Sequence, residues 1–212
     1  MIEALREAVL KGDLGVARAM TSQALADGVS PAKILDDTLI AAMEIVGEEF
    51  ETGERFIPEM LVSAEAMKAA MSVLRPELAA TGVPSRGKIV IGTVEGDLHD
   101  IGKDLVATML EGAGFEVVDL GVEATAQQFV DAVKEHSPDV VGMSALLTTT
   151  MVFMPEVVRA LEEAGVRSQV KIVVGGAPVT AEFAREIAAD GYADDAASAV
   201  TLVKSLISGP RT

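Results

Sequence analysis

The feature that most constrains the fold of this chain is a change in hydrophobic periodicity near residue 80. Before it, apolar residues recur every three or four positions, which is the pattern of amphipathic helices. After it, β-branched apolar runs alternate with helical stretches, which indicates strands separated by helices. The sequence therefore predicts two regions of different fold class. The helical pattern is clearest at Leu35, Leu39, Met43, Val46 and Phe50.

The first region predicts a small bundle of helices. Breaks near three glycines divide it into helical segments, and Asp13 and Ser30 are favourable N-caps for two of them. The segment 80–87 is short, small and polar, which is typical of a linker. We therefore place an α-helical domain at residues 1–83 and a second domain at residues 87–212. The breaks lie at Gly12, Gly28 and Gly53.

The second region predicts an α/β domain with a doubly wound parallel sheet. Its apolar runs do not alternate with polar residues, so the strands should be buried on both faces. Strands that alternate with helices favour a Rossmann-like or flavodoxin-like fold. Ligands of such folds bind beyond the carboxyl ends of the strands, so the loops after Val94, Met143 and Val174 form the candidate site. The predicted strands are 88–94, 115–120, 139–144 and 170–174, and the predicted helices are 100–112, 124–135, 155–164, 181–189 and 196–207.

The charge balance excludes some classes of partner. The chain has 17 Lys and Arg against 33 Asp and Glu, a formal net charge of −16, which would repel nucleic acid and anionic membrane surfaces. It has no cysteine, so a disulfide framework and a thiolate metal site are excluded. No apolar run approaches the roughly 20 residues of a membrane span, and the N-terminus does not have the pattern of a signal peptide. We expect a cytoplasmic protein with neither nucleic acid nor a membrane as a partner.

The loop after the first predicted strand carries an imidazole, His99, two positions after the carboxylate of Asp97. The carboxylate could hold one ring nitrogen while the other nitrogen binds a metal. The alternative, a surface histidine that caps the following helix, is common for such pairs. No second nitrogen or sulfur ligand lies nearby, which argues against zinc. A metal bound here would have to bring other ligands with it, as in a tetrapyrrole-like macrocycle.

Three short motifs in this region resemble a known signature when they are taken together. Their order and spacing are similar to those of the cobalamin-binding domains of methionine synthase, of adenosylcobalamin mutases and of corrinoid methyl carriers. Residues 43–58 resemble the helical cap that accompanies the methyl-transferring members. Nearly the whole chain thus resembles the stand-alone corrinoid proteins of methanol, methylamine and methoxyl-compound methyltransferases. The motifs are Asp97-x-His99-x-x-Gly102, Ser144-Ala145-Leu146 and Gly175-Gly176, separated by residues 103–143 and 147–174.

The resemblance implies a cobalamin or related corrinoid as cofactor, with His99 bound to the cobalt in place of the cofactor's own base. Asp97 and Thr150 would complete a relay with His99, threonine standing where methionine synthase has a serine. The nucleotide tail would enter the sheet beside the glycine pair. The residues expected at the cofactor are Gly96, Asp97, Leu98, His99, Asp100, Ile101, Gly102, Ser144, Leu146, Thr148, Gly175, Gly176, Ala177 and Tyr192.

The resemblance also implies an apolar lid over the methyl-bearing face of the cofactor, formed by Phe50, Ile57 and Met60 of the helical cap. An apolar cover excludes water from the methyl–cobalt bond. The other interpretation of these residues is that they belong to the bundle core, because apolar residues at helical spacing usually do. Both interpretations stay open from the sequence.

The function implied by the resemblance is that of a methyl carrier, loaded as methylcobalamin, which serves a substrate-specific methyltransferase and an acceptor methyltransferase. A reductive activase is a further expected partner. The chain would then be the corrinoid subunit of a methyltransferase system and not a complete enzyme alone. The alternatives are a cobalamin-dependent sensor or regulator, and the small subunit of an adenosylcobalamin mutase. A cofactor-free flavodoxin-like signalling domain would leave the spacing of the three motifs unexplained.

Overall fold

The structure is a computed structural model that describes residues 1–81 and 86–208. These residues form two compact units. The helical unit contains the described residues from Met1 to Arg86 together with Thr108–Gly114, and the α/β unit contains Gly87–Ala107 and the described residues from Phe115 onward. Residues 82–85 of the predicted linker lie outside the described residues, so the predicted domain boundary stays a prediction.

The helical unit is built from α-helices, as the periodicity predicted. Two of the predicted caps are present: Asp13 accepts a hydrogen bond from the Val16 N–H, and Ser30 accepts one from the Lys33 N–H. Between α3 and α4 the helix widens into a π-helical turn at Leu35–Ile40, which the sequence pattern did not predict. The helices are α1 (Ile2–Lys11), α2 (Leu14–Ala26), α3 (Pro31–Ile34), α4 (Ala41–Glu51) and α5 (Ile57–Ala80).

The core of the helical unit is almost entirely apolar. The long helix α5 packs on α1, α2 and α4 and supplies several of the buried side chains. Burial of such side chains stabilises a fold by about 1.5–3 kcal/mol each. The largest side chains that are fully buried here are Leu5, Ile34, Leu39, Ile40, Met60, Met67, Leu74 and Leu110.

The α/β unit contains a parallel sheet, which confirms the predicted fold class. In the described part of the chain the strand order is β2-β1-β3-β4-β5, and every neighbouring pair is parallel. The four predicted strands are present, and the short fifth strand at the edge was not predicted. The strands are β1 (Lys88–Thr93), β2 (Glu116–Asp119), β3 (Val140–Ser144), β4 (Lys171–Gly175) and β5 (Gly191–Ala193).

The position of β1 in the sheet locates the site. The connection after β1 leads to β2 on one side of the sheet, and the connection after its other neighbour β3 leads to β4 on the opposite side, so the two connections diverge at the carboxyl edge. A crevice at such a switch point is the usual ligand site of doubly wound sheets. The helices of this half of the chain are α6 (Ile101–Gly112), α7 (Ala126–His136), α8 (Met154–Glu163), α9 (Ala181–Glu186) and α10 (Ala196–Ser208).

Among the described residues, we find no helix that combines the length and the hydrophobicity needed to cross a lipid bilayer.

Candidate functional site

The loop after β1 occupies the switch point of the sheet. Val94 continues the strand far enough to bridge Ala124, and its N–H donates to the Ser144 carbonyl at 3.0 Å. The chain then turns sharply at Gly96, whose φ of 78° is a left-handed conformation that glycine adopts without strain. A turn of this kind ends the strand and directs the following residues across the edge of the sheet.

Asp97 and His99 lie within hydrogen-bond distance of each other in this loop. The Asp97 carboxylate is fully buried, and its Oδ1 lies 2.7 Å from the His99 ring Nδ1. The same oxygen accepts the main-chain N–H of His99 at 3.1 Å. One carboxylate oxygen therefore fixes both the backbone and the ring of the histidine.

The second carboxylate oxygen of Asp97 connects the loop to β3 and its following loop. Oδ2 accepts the Leu146 N–H at 2.7 Å and the Thr150 hydroxyl at 2.6 Å. The structure thus brings together Asp97, His99 and Thr150, the three residues of the predicted relay. Thr150 is itself buried, so its hydroxyl is held close to the carboxylate.

The hydrogen bonds decide the charge of Asp97 and the tautomer of His99. Burial alone would raise the pKa of Asp97, but the donors from Thr150, Leu146 and His99 outweigh it and hold that pKa far below its usual range. An ionised carboxylate can only accept, so Nδ1 of the neutral imidazole must carry the ring proton. The lone pair then lies on Nε2, the nitrogen left for a metal.

His99 presents its ring to solvent. Its side chain is 51% exposed although its partner Asp97 is buried. Within the described residues, no cluster of three or more His, Asp or Glu side chains could hold a metal ion. A metal on His99 must therefore arrive with most of its ligands already attached, which is the case for a corrinoid and not for a free ion.

Several exposed aliphatic side chains lie near His99 in the chain and in the segment after β3, which also fits a large flat cofactor. Large aliphatic side chains flank the imidazole along the chain and stand on the neighbouring loop after β3. Soluble proteins rarely leave several such side chains uncovered in neighbouring loops unless they bind something. These side chains are Leu98, Ile101, Leu146, Leu147 and Val152.

Two glycines of the predicted signature, Gly176 and Gly102, differ in how much space surrounds their Cα atoms. A Cβ at Gly176 would lie 1.9 Å from the carbonyl oxygen of Ala145, so the protein's own backbone requires glycine there. The sequence interpretation, room for a nucleotide tail, is therefore not needed to explain Gly176, and the tail contact stays a prediction. Gly102 is the opposite case, because a Cβ there would meet no protein atom within 4 Å. Open space beside the first turn of α6 fits a bound group.

The other predicted cofactor residues lie mostly in the loops at the same edge of the sheet. Gly96, Asp100, Thr148 and Ala177 are exposed, and Ser144 and Gly175 are partly buried at the ends of β3 and β4. Tyr192 lies on the edge strand β5 and donates its hydroxyl to Asp194 at 2.7 Å.

The three predicted lid residues belong to the helical unit and differ in exposure. Met60 is fully buried among the core residues of the bundle, Phe50 is half-buried, and Ile57 is exposed. The bundle-core interpretation therefore accounts for Met60. The lid itself stays a prediction, with Ile57 as the residue most available for contact.

Two residues that hold the site together were not predicted from the sequence. The buried Thr93 donates its hydroxyl to the His99 carbonyl at 2.9 Å. The buried Lys103 forms ion pairs of 2.5 Å with Asp104 and Asp119. Burial alone would lower the pKa of Lys103, but the hydrogen bonds to both carboxylates raise it above its ordinary value. Lys103 thus ties the first turn of α6 to the end of β2.

Comparison with known proteins agrees with this geometry. Residues 87–201 match a family described as B12 binding domain, and residues 1–75 match a second family of the same description. The chain is 44% identical to the trimethylamine corrinoid protein 2 of Methanosarcina acetivorans over 209 residues, 98% of this chain and 96% of that protein.

Two solved structures are similar in fold as well. A chain of the methanol:cobalamin methyltransferase complex MtaBC from Methanosarcina barkeri has a TM-score of 0.87 and 30% identity, covering 98% of this chain and 80% of that chain. A cobalamin-binding protein from Desulfitobacterium hafniense has a TM-score of 0.78 and 36% identity, covering 97% of this chain and 98% of that chain.

The fold and the site thus define a B12-binding domain, preceded in the chain by a helical domain. This chain belongs to the family of corrinoid methyltransferase carrier proteins, as the three motifs predicted. The predicted cofactor class, a cobalamin-type corrinoid, is confirmed by the same matches.

Proposed function

We propose that this protein binds a cobalamin-type corrinoid with the benzimidazole base displaced and His99 Nε2 on the cobalt, and that it carries a methyl group between methyltransferases. The observation that carries the proposal is the hydrogen bond between the buried carboxylate of Asp97 and Nδ1 of the exposed His99 ring. That bond orients the ring and keeps Nε2 free of a proton. An oriented, neutral imidazole is what an axial metal ligand requires.

Each residue of the relay has a separate task. When bound, the corrinoid supplies a cobalt centre that accepts and donates the methyl group. His99 would hold the cobalt through Nε2, and Asp97 keeps the proton on the opposite nitrogen and would stabilise a positive charge on the ring. Thr150 and the Leu146 N–H keep Asp97 ionised by donating to its other oxygen.

The relatives support methyltransferases as the partners of this protein. Similar proteins are named as trimethylamine and dimethylamine corrinoid proteins, and one similar solved structure is a methanol:cobalamin methyltransferase complex. A substrate-specific methyltransferase is the partner that loads this protein, and an acceptor methyltransferase unloads it. A reductive activase is the third partner, since a cobalt centre that accepts methyl cations must be kept reduced.

The carrier function is favoured over the subunit of a mutase by the extent of the similarity. The match to corrinoid proteins runs through the helical half as well as the α/β half and covers 98% of this chain. A mutase subunit would need only the cofactor-binding fold, so the mutase alternative gives no reason for residues 1–75 to match a family as well.

The test is electron paramagnetic resonance of the Co(II) form in protein that carries nitrogen-15 in its histidine rings. The expected result is a superhyperfine splitting that changes with the label and disappears in His99→Ala. The chain has two histidines, and the second, His136, ends helix α7. His136→Ala is therefore the matched control and should keep the wild-type splitting.

A splitting that does not respond to the label would overturn the assignment of His99. So would an unchanged visible spectrum of bound cobalamin in His99→Ala. Binding itself should survive this substitution, more weakly, because the corrin ring and the nucleotide tail supply much of the contact.

A further inference from the structure

The main chain of His99 is held on both sides by different residues. On its N-terminal side the His99 N–H donates to Asp97 Oδ1 at 3.1 Å, and on its C-terminal side the His99 carbonyl accepts the hydroxyl of Thr93 at 2.9 Å. Asp97 belongs to the same loop as the histidine, whereas Thr93 is the last residue of β1. The peptide group after His99 is therefore oriented by the sheet itself.

Thr93 is a rigid anchor for this contact. It is fully buried, its N–H donates to the Gly121 carbonyl at 3.0 Å, and its own carbonyl accepts the Ala124 N–H at 2.9 Å. A β-branched side chain on a paired strand residue has restricted χ1 rotation. The single hydroxyl proton of Thr93 is committed to the His99 carbonyl.

The exposed histidine ring needs such an anchor. Its side chain is 51% exposed, so packing contributes little to its orientation, and the orientation depends on hydrogen bonds. A metal ligand must be held within about 0.5 Å and 10–20° of its productive geometry. Asp97 holds the main-chain N–H and one ring nitrogen of His99, but both hydrogen bonds end on the same oxygen, Oδ1, so the residue could still pivot about that one point.

We infer that Thr93 is a positioning residue for the axial ligand: its hydroxyl fixes the His99 carbonyl and thereby aims Nε2 at the metal. This inference rests on the proposed function, because it concerns the role of His99 as the cobalt ligand. It predicts that the effect of Thr93 on cofactor affinity passes through the His99 ring. A hydroxyl that only satisfies a buried carbonyl would act on folding and would not depend on that ring.

The experiment is a double-mutant cycle on apoprotein titrated with cobalamin. Thr93→Val keeps the shape of the side chain and removes the donor, whereas Thr93→Ser keeps the donor and removes the methyl group. In the wild-type background, Thr93→Val should weaken cobalamin binding about fivefold, as expected for the loss of one ordinary hydrogen bond. In the His99→Ala background, the same change should leave the dissociation constant unaltered. Thr93→Ser should stay near the wild-type value in both backgrounds.

A second measurement needs no cofactor. Nitrogen-15 relaxation of the apoprotein should show increased mobility at the amides of His99 and Asp100 in Thr93→Val and wild-type mobility in Thr93→Ser. If Thr93→Val does not fold, Thr93→Ala serves in both measurements with the same criteria, since its smaller side chain removes the same donor without adding a methyl group.

Two outcomes would overturn the inference. Equal weakening by Thr93→Val in the two backgrounds would show that the hydroxyl acts on the fold and not through His99. Wild-type affinity and wild-type mobility in Thr93→Val would show that the contact positions nothing. Failure of the proposed function gives a different result, because His99→Ala alone would then leave the cobalamin spectrum unchanged while Thr93 is intact.

Discussion

Buried polar side chains are used differently in the two units. In the helical unit, the buried hydroxyls of Thr21 and Ser63 donate to the main-chain carbonyls of Ala17 and Leu10 at 2.8 and 3.1 Å. The Thr21 contact satisfies a single main-chain carbonyl. Ser63 also accepts a hydrogen bond from Arg55 Nη1 at 3.1 Å, and the same nitrogen donates to the Leu10 carbonyl at 2.9 Å. The Thr21 and Ser63 contacts do not converge on one another, and Arg55, the partner of Ser63, is not itself a fully buried side chain.

In the α/β unit, three buried polar side chains converge on one loop. Thr93 holds the carbonyl of His99, Asp97 holds its amide and ring, and Thr150 completes the set of donors to Asp97. An isolated hydrogen bond to the backbone contributes about 1 kcal/mol, whereas a connected network can contribute more than the sum of its separate bonds. This difference indicates that a functional site is marked by buried polar groups that converge on one loop, more than by the number of such groups.

The sharpest test of this comparison pairs Asp97→Asn with Thr21→Val, two nearly isosteric changes at fully buried positions. The side-chain amide introduced by Asp97→Asn must face at least one donor, either at His99 or at Leu146 and Thr150, so we expect a loss of about 3 kcal/mol in unfolding free energy. Thr21→Val removes one hydroxyl bond to Ala17 and should cost about 1 kcal/mol.

Urea denaturation of the apoproteins measures both losses. The chain has one tyrosine and no tryptophan, so Tyr192 fluorescence reports on the α/β unit, while circular dichroism reports on the helices of both units. Equal losses in the two variants would mean that the network around Asp97 is no more cooperative than an isolated hydroxyl contact.

The stability loss caused by Asp97→Asn should depend on pH, whereas the loss caused by Thr21→Val should not. The pKa of Asp97 is held far below its ordinary value of about 4 by the donors to its carboxylate. A lowered folded-state pKa contributes stability that is complete above the unfolded-state pKa and is lost as the pH falls toward the folded-state pKa. The difference in melting temperature between wild type and Asp97→Asn should therefore be constant above about pH 5 and shrink below about pH 4. For Thr21→Val the difference should not change over this range, and a parallel decrease would contradict the assignment.

Much of the fold could be predicted because it follows from local periodicity. The runs that became β1, β3 and β4 are buried on both faces and are bounded by turn residues, so their ends were predicted within about two residues. The strand β5 was missed because three residues that include a glycine do not form a recognisable pattern. The π-helical turn at Leu35–Ile40 was missed because one extra residue in a helix leaves the spacing of its neighbours nearly unchanged.

The sequence indicates candidate site residues where side chains with chemistry stand in motifs, and not where the hydrogen-bond partner is the backbone. Asp97, His99 and Thr150 could be named from the sequence. Thr93 could not, because its partner is a main-chain carbonyl that any residue would supply. The glycine at position 176 was assigned to the ligand, yet the close approach of Ala145 is enough to require it, and that approach becomes visible only in three dimensions.

The contrast between the two units would not hold if residues of the helical unit also contacted the cofactor. The predicted lid residues provide a test of this possibility. Phe50→Ala and Ile57→Ala should speed photolysis of bound methylcobalamin, because a methyl radical recombines less often when an apolar cover is opened. Phe50 is half-buried, so its truncation should cost about 1–2 kcal/mol of stability, less than for a core phenylalanine. Ile57 is exposed, so its replacement by alanine should reduce stability even less.

Leu61→Ala is the matched control for the lid, since Leu61 is an exposed residue of the same helix α5 and is not a predicted lid residue. Photolysis rates are compared at a temperature where all variants stay folded. If Phe50→Ala and Ile57→Ala bind cobalamin normally and photolyse at the wild-type rate, the helical unit has no cover over the methyl group, and the contrast between the units stands unmodified.

The smallest expected effect comes from two glycines that occupy the same position in different helices. Gly102 is the second residue of α6 in the α/β unit, and Gly15 is the second residue of α2 in the helical unit. A Cβ at Gly102 would meet no protein atom within 4 Å, and one at Gly15 would meet only Asp13 Oδ1 at 3.6 Å. Replacement by alanine should therefore stabilise either apoprotein by about 0.5 kcal/mol, because alanine loses less backbone freedom on folding.

Only Gly102→Ala should also weaken cobalamin binding, since the space beside it is where the cofactor is expected. Titration of the two variants with cobalamin decides the matter, and equal affinities would show that the space beside Gly102 is not used.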